Sequence, residues 1–150
     1  MPVFLPFRME DERQRNWMDP GGNLDLVAVA NLVAQVPGAT VVVPNARSLA
    51  ATALWQREEL RQRNWFFDLS LAEVHYVLHL NVKRMRDLAD FIEEGGASHL
   101  VFGTHTPFSY PSGARVKAAV LPVEPEILEE ICWKRAATLL GIDALLGDDI

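Results

Sequence analysis

With 150 residues, 49% of them hydrophobic and 23% charged, the chain can bury one sizeable core and lies well outside the composition of disordered proteins. Twenty acidic against 14 basic side chains give a formal net charge of −6, a field that repels phosphate backbones and argues against nucleic acid as a partner. The single cysteine, Cys132, cannot close an internal disulfide, no run is long enough to span a bilayer, and no basic leader precedes an apolar stretch, so the expected location is cytoplasmic.

Four short runs rich in β-branched and aromatic residues stand out, at residues 3–7, 39–43, 65–68 and 99–102. Each is nearly continuous in apolar character, as expected of parallel strands covered on both faces, and each is followed by helical periodicity. After the first, a polar loop over 9–23 leads to Leu26, Val29, Leu32, Val33 and Val36 on one helical stripe, halted by Pro37 and Gly38. The second leads through Asn45 and a Ser48 cap into a helix predicted over 49–62, where Ala and Leu dominate and Arg and Glu fill the outer face. The third passes Ser70 into a helix over 71–80. A second helix follows, capped by Asn81, with Met85, Leu88, Ala89 and Ile92 on one stripe and ending at Gly95 and Gly96. The fourth leads through a loop with Pro107, Pro111 and Gly113 to a short helix over 114–121 and a terminal helix opened by Pro125 and closed by Gly141. Residues 1–141 form the expected domain and 142–150 an acidic tail.

Strand and helix alternating at this spacing predict an α/β fold with a parallel sheet. Four such units make either a small doubly wound open sheet or one half of a (β/α)8 TIM barrel. No glycine-rich phosphate loop follows the first strand, so the nucleotide-binding form of the open sheet has no support.

The segment His99-Leu-Val-Phe-Gly-Thr-His-Thr-Pro-Phe108 resembles the last barrel strand of the amidohydrolase-related family, which ends in Phe-Gly-Thr/Ser-Asp-x-Pro-Phe. Asn64-Trp-Phe-Phe-Asp-Leu-Ser70 is similar to that family's seventh strand, and Glu129-Glu-Ile-Cys-Trp-Lys-Arg-Ala-Ala-Thr-Leu-Leu-Gly141 to its C-terminal helix, in the family's order. The resemblance implies a C-terminal half-barrel, with residues 2–63 in the places of the fifth and sixth units. It further implies a metal-dependent-hydrolase-like activity on C–O or C–N bonds of a small substrate. In metal-dependent members the fifth and sixth strands end in histidine ligands; here those places hold Pro6 and either Pro44 or Asn45, none a strong zinc ligand. His105 stands where the last-strand Asp would, as in a branch of the family with Gly-Ser/Thr-His-x-Pro-Phe, and Arg135 replaces the Asn of the last helix. No cofactor is therefore expected, with a single zinc at His105 as the alternative.

His105 is the leading catalytic candidate, a general base just past a strand end, where barrel enzymes place their chemistry. The competing reading is a histidine satisfied by a backbone carbonyl in a tight turn. Asp68, at the end of the third strand, would orient His105 if the two strands are neighbours, or else begin the next helix as a cap. Arg8 and Arg47, with Asn45, follow the first two strands and could clamp a substrate carboxylate in bidentate fashion; arginines in loops more often form exposed pairs of little consequence. His75 and His79 have helical ligand spacing but lack the glutamate of a metalloprotease, Tyr76 following the first. His99 opens a strand, at the stability end of a barrel, and Trp17, Trp55, Trp65 and Trp133 read as core.

Four parallel strands alone leave two open edges and one thinly covered face. A homodimer completing the barrel is the favoured remedy, ahead of a separate partner chain or a flattened open sheet. The sequence also begins almost on a strand, so Met1 as an internal methionine of a longer gene is a further expectation. Two functions follow: a hydrolase acting on a small-molecule substrate, or a non-catalytic remnant that binds a small acid or only assembles with partners.

Overall fold

A computed structural model describes residues 1–7, 22–44, 46, 48–70, 82–104, 106 and 110–142, and shows an α/β fold around a four-stranded parallel sheet. The strands are β1 (Val3–Phe4), β2 (Val41–Pro44), β3 (Trp65–Asp68) and β4 (Leu100–Val101), ordered β1-β2-β3-β4. All three pairings are parallel, with Val3 opposite Val41, Val41 opposite Trp65, and Phe67 opposite Leu100. The order never reverses, so the sheet has no topological switch point of the kind that makes the crevice of a doubly wound fold.

Helix α1 (Leu26–Gln35) connects the first two strands. Asp25 caps it by accepting the Val27 N–H at 2.8 Å, and the chain leaves it at Val36, before Pro37. Helix α2 (Ala53–Gln56) lies between β2 and β3, flanked by 3-10 turns at Leu49–Ala51 and Glu58–Leu60; α3 (Val82–Glu93) precedes β4 and ends at Gly95, which holds φ +92°. α1 packs on α2, and α3 on the Leu49–Ala51 turn, so these connections share one side of the sheet. Past β4 come α4 (Pro111–Ala119), α5 (Pro125–Glu129), a π-turn (Glu130–Lys134) and α6 (Arg135–Leu140), closed by Gly141 at φ +67°. Among the described residues no helix is long and apolar enough to cross a membrane.

The period of two along a strand divides the sheet. Val41, Val43, Trp65, Phe67 and Leu100 face the helices and join Val29, Ala30 and Val33 of α1, Leu54, Trp55 and Phe91 in one buried cluster. Each fully buried Val, Leu or Phe among them contributes about 1.5–3 kcal/mol by leaving water. Phe4, Val42, Phe66, Asp68 and Val101 take the opposite register.

The four predicted strands are all present, and α1, α3 and the terminal helix fall close to their expected places. The helix predicted over 49–62 is broken instead. Ser48 does not cap it; Thr52, with extended backbone, bonds the Leu49 carbonyl at 2.8 Å and caps α2. The break serves Trp55, whose indole N–H donates to Glu94 at 2.6 Å, whose ring meets Phe91 edge-on, and over which the Arg61 guanidinium lies at 4.3 Å. Docking of one large aromatic outweighs the few tenths of a kcal/mol per residue that helix propensity supplies. The helix expected over 71–80, its neighbour's Asn81 cap, and His75 and His79 lie outside the described residues, as does 143–150 of the acidic tail.

The outer edge of β4 is not open as expected. The Val101 carbonyl accepts from Leu69 on the β3 side, so residues 100 and 102 face away. Phe102 N–H donates to the Ile131 carbonyl of the π-turn at 2.9 Å, and the Arg135 guanidinium donates to the carbonyls of Leu100 and of Ala97. The terminal helix thus replaces a neighbouring strand.

At the amino ends of the strands His99, 4% exposed, stacks on Trp65 with ring centroids 3.8 Å apart. Its Nδ1 lies 2.7 Å from the Trp65 carbonyl and its Nε2 3.0 Å from that of Arg61. A neutral ring has one N–H, so only one of these carbonyls accepts from it. Burial lowers the pKa of His99 below 6.5; the two carbonyls oppose this and the charge of Arg135 reinforces it. The unfolded chain therefore takes up this proton first, and the stability His99 contributes is complete above pH 6.5 and lost as pH falls below it. The melting temperature of the full chain should drop between about pH 7.5 and about pH 5.5 and do so less steeply in His99→Gln; equal slopes would refute the assignment.

Candidate functional site

Because all four strands are parallel, their carboxyl ends share one rim, and Asp68, the last residue of β3, stands on it. It lies in register with Val101, one strand across. The condition that β3 and β4 be neighbours is therefore met. The Asp68 side chain is half-buried, its Oδ1 closed off from solvent, and its carboxylate lies against the α-carbon of Gly103. A Cβ at position 103 would overlap the carboxylate itself. Glycine here permits a close approach of side chain to backbone.

Beyond Gly103 the Thr104 and Thr106 hydroxyls bond each other at 2.9 Å, and the Thr106 N–H reaches Thr104 Oγ1 at 3.4 Å. These contacts join the two threonines that flank position 105 in the sequence. His105 itself, with Arg8, Asn45 and Arg47, lies outside the described residues. Ser70, two residues past Asp68, is 2% exposed.

A second feature occupies the same end of the sheet. An open cleft of about 600 Å³ lies between the starts of α1 and α2, with Phe7, Leu24, Leu26 and Val27 on its apolar side and Asn23, Asp25, Ser48 and Thr52 supplying polar groups. Phe7 shares the helix-facing register of Val3, whereas Asp68 has the opposite one, so the cleft and the carboxylate use different faces of the sheet. Arg8 and Arg47 are the covalent neighbours of the lining residues Phe7 and Ser48. Ser48 holds φ 52°, ψ 49°, a left-handed conformation costly for a residue with a side chain.

The residues do not fit the binuclear metal centre that the family resemblance implies. Pro44 ends β2 and Pro6 follows β1, and neither ring offers a donor. Among the described residues no three His, Cys, Asp or Glu side chains are grouped to hold a metal ion. His99 is committed to the amino end of the sheet and the core. Cys132 is half-buried, its thiol pushed up by burial, which disfavours the thiolate a nucleophile needs.

Sequence reasoning reached Asp68 from its place at a strand end, but missed that Gly103 is its seat. The signal was present as a glycine just past a strand. It also missed the cleft, which depends on the unforeseen break at Thr52, and the clamp of Arg135 on β4. Gly103→Ala should displace the Asp68 carboxylate and destabilise the chain by roughly 1–3 kcal/mol. Gly38→Ala, where nothing lies within 4 Å of an added Cβ, should not. Urea midpoints of the two variants check this, and equal midpoints would remove the close approach from the account.

Neither a protein-family model, a curated protein nor a solved structure matches this chain.

Proposed function

We propose that the chain is one half of a (β/α)8 barrel and hydrolyses a C–O or C–N bond of a small, carboxylate-bearing substrate without the binuclear metal centre of its metal-dependent counterparts. The observation that carries this reading is the seat of the Asp68 carboxylate on Gly103, which follows the neighbouring strand β4 and precedes His105 by two residues in the sequence. The unreversed strand order supports the barrel reading, since barrels wind in one direction and doubly wound sheets do not. The likeness of residues 99–108 to the last strand of the amidohydrolase-related family supports the hydrolytic one.

In this mechanism His105 is the general base. It takes a proton from water as the water oxygen attacks the substrate carbonyl, and returns it to the leaving oxygen or nitrogen as the scissile bond breaks. Asp68 holds the imidazole and stabilises the imidazolium that forms, the role of a buried carboxylate behind a catalytic histidine. Arg8 and Arg47, with Asn45, bind the substrate carboxylate; a planar guanidinium matches its two oxygens.

A second reading has its own support in Pro6 and Pro44 at the ligand places. In it the chain is a non-catalytic remnant that retains the barrel rim and binds a small acid.

Initial rates against a panel of carboxylate-bearing esters and lactones separate the two. His105→Ala and Asp68→Asn should each lower kcat/KM by about 10²-fold or more while circular dichroism stays native, and a chelator should leave the rate unchanged. A folded wild type with no turnover on any member, or His105→Ala as active as wild type, would leave only the remnant. Chelator-sensitive turnover restored by zinc would place the chemistry on a metal and remove the metal-free mechanism.

A further inference from the structure

The two outer edges of the sheet differ in what they can bond. At β4 the outward groups are taken by Ile131 and Arg135. At β1 the N–H groups of Val3, Leu5 and Phe7 all point to β2, donating to Thr40, Val42 and Pro44 at 2.8–3.0 Å. Residues 2, 4 and 6 therefore face away from the sheet, and two of them, Pro2 and Pro6, have no N–H. The outward edge of β1 carries one donor, the Phe4 amide.

This arrangement is self-complementary. Two copies of β1 related by a two-fold axis run antiparallel, and centring the axis on Phe4 sets Phe4 opposite Phe4 of the partner, with each Pro2 facing a Pro6. Each Phe4 N–H then donates to the other copy's Phe4 carbonyl, forming the closely spaced hydrogen-bond pair of an antiparallel ladder, and no donor is stranded at the proline positions. The side chains agree with this. Val3 and Phe4 are 49% and 55% exposed on opposite faces of this edge. The adjoining helix α1 has no charged residue, and its outward positions include Val27 and Leu32, 51% and 43% exposed. Asn31, which accepts from Arg57 at 2.8 Å, and Gln35 are the exposed polar residues of this helix, so its exposed surface is mixed, with Val27 and Leu32 as its large apolar groups.

We propose that the chain forms a two-fold homodimer through β1 and the outer surface of α1, joining two four-stranded sheets edge to edge at a single antiparallel junction. With β4 closed by its own terminal helix, each copy has one edge to offer among the described residues, so the assembly stops at two and does not grow into a fibre. Closing an eight-stranded barrel instead would require β4 to release Ile131 and Arg135. This inference rests on edge register and exposure, not on the hydrolytic reading, which uses the rim of one chain; it leaves the half-barrel open, because closure would need the same edge of β1.

Sedimentation equilibrium of the full chain should give twice the chain mass at micromolar concentration. Phe4→Pro deletes the one outward donor and leaves every bond to β2 in place; it should stay folded by circular dichroism and weaken the dimer about tenfold or more. Independently, Phe4→Cys in a Cys132→Ser background should oxidise to a disulfide-linked dimer, since paired α-carbons about 5.5 Å apart suit a disulfide. Val3→Cys in the same background should not, because Val3 faces Leu5 of the other copy. A monomeric wild type, a larger assembly, a dimer untouched by Phe4→Pro, or cross-linking at position 3 in place of position 4 would each overturn the proposal.

Discussion

The register between β3 and β4 fixes everything at the candidate rim. Val101 gives its carbonyl to Leu69, and that single choice of which groups face inward sends the carbonyl of Leu100 and the amide of Phe102 outward to the terminal helix. The same register puts Asp68 level with Val101 and brings its carboxylate down on Gly103. A slip of one residue would turn Phe67, now in the core, to the opposite face and move Asp68 into the helix layer, exchanging a large buried transfer energy for a buried charge. The apolar core therefore holds the polar rim in place.

Seen this way, the sheet's two ends divide the work. The amino ends carry the rigid aromatic group: Trp65 donates its indole N–H to Leu60, stacks on His99 and meets Phe67 edge-on, while Phe91 packs over the glycine at 96, where a Cβ would strike its ring. The carboxyl ends carry the left-handed Ser48, the cleft and the Asp68 carboxylate. A parallel α/β architecture favours this division, because strain and polar groups at the rim are affordable only where the opposite end is well packed.

Much of this was legible in the sequence, and the reason is physical. A strand buried on both faces has few alternatives to a run of Val, Trp, Phe and Leu, so the strands read at 39–43, 65–68 and 99–102 lie within two residues of those observed. Asp68 stood out as a carboxylate ending such a run, with a cap for the next helix as the competing reading. The stretch over 49–62 was not, since its alanines, leucines, arginines and glutamates satisfy helix propensity, and what breaks it is the three-dimensional docking of Trp55 among Phe91, Glu94 and Arg61. The closed edge of β4 was hidden for the same reason. Arg135 read as a departure from a family pattern, but its guanidinium, half-buried and with its pKa drawn down by that burial, is what meets the strand's outward carbonyls.

The break at Thr52 links fold to cleft. A continuous helix from residue 49 would commit its first-turn carbonyls to the i to i−4 ladder and have no second start at Thr52. Instead Thr52 leaves the helical region, bonds back to Leu49 with its hydroxyl and starts α2 afresh, so two short starts take the place of one. Ser48, directly before the Leu49–Ala51 turn, holds positive φ. The residues so placed, Ser48 and Thr52, are two of the polar groups lining the cleft beside α1. A local departure from helix propensity, enforced by Trp55 in the core, is thus what provides polar groups at the end of the sheet where parallel folds keep their ligands.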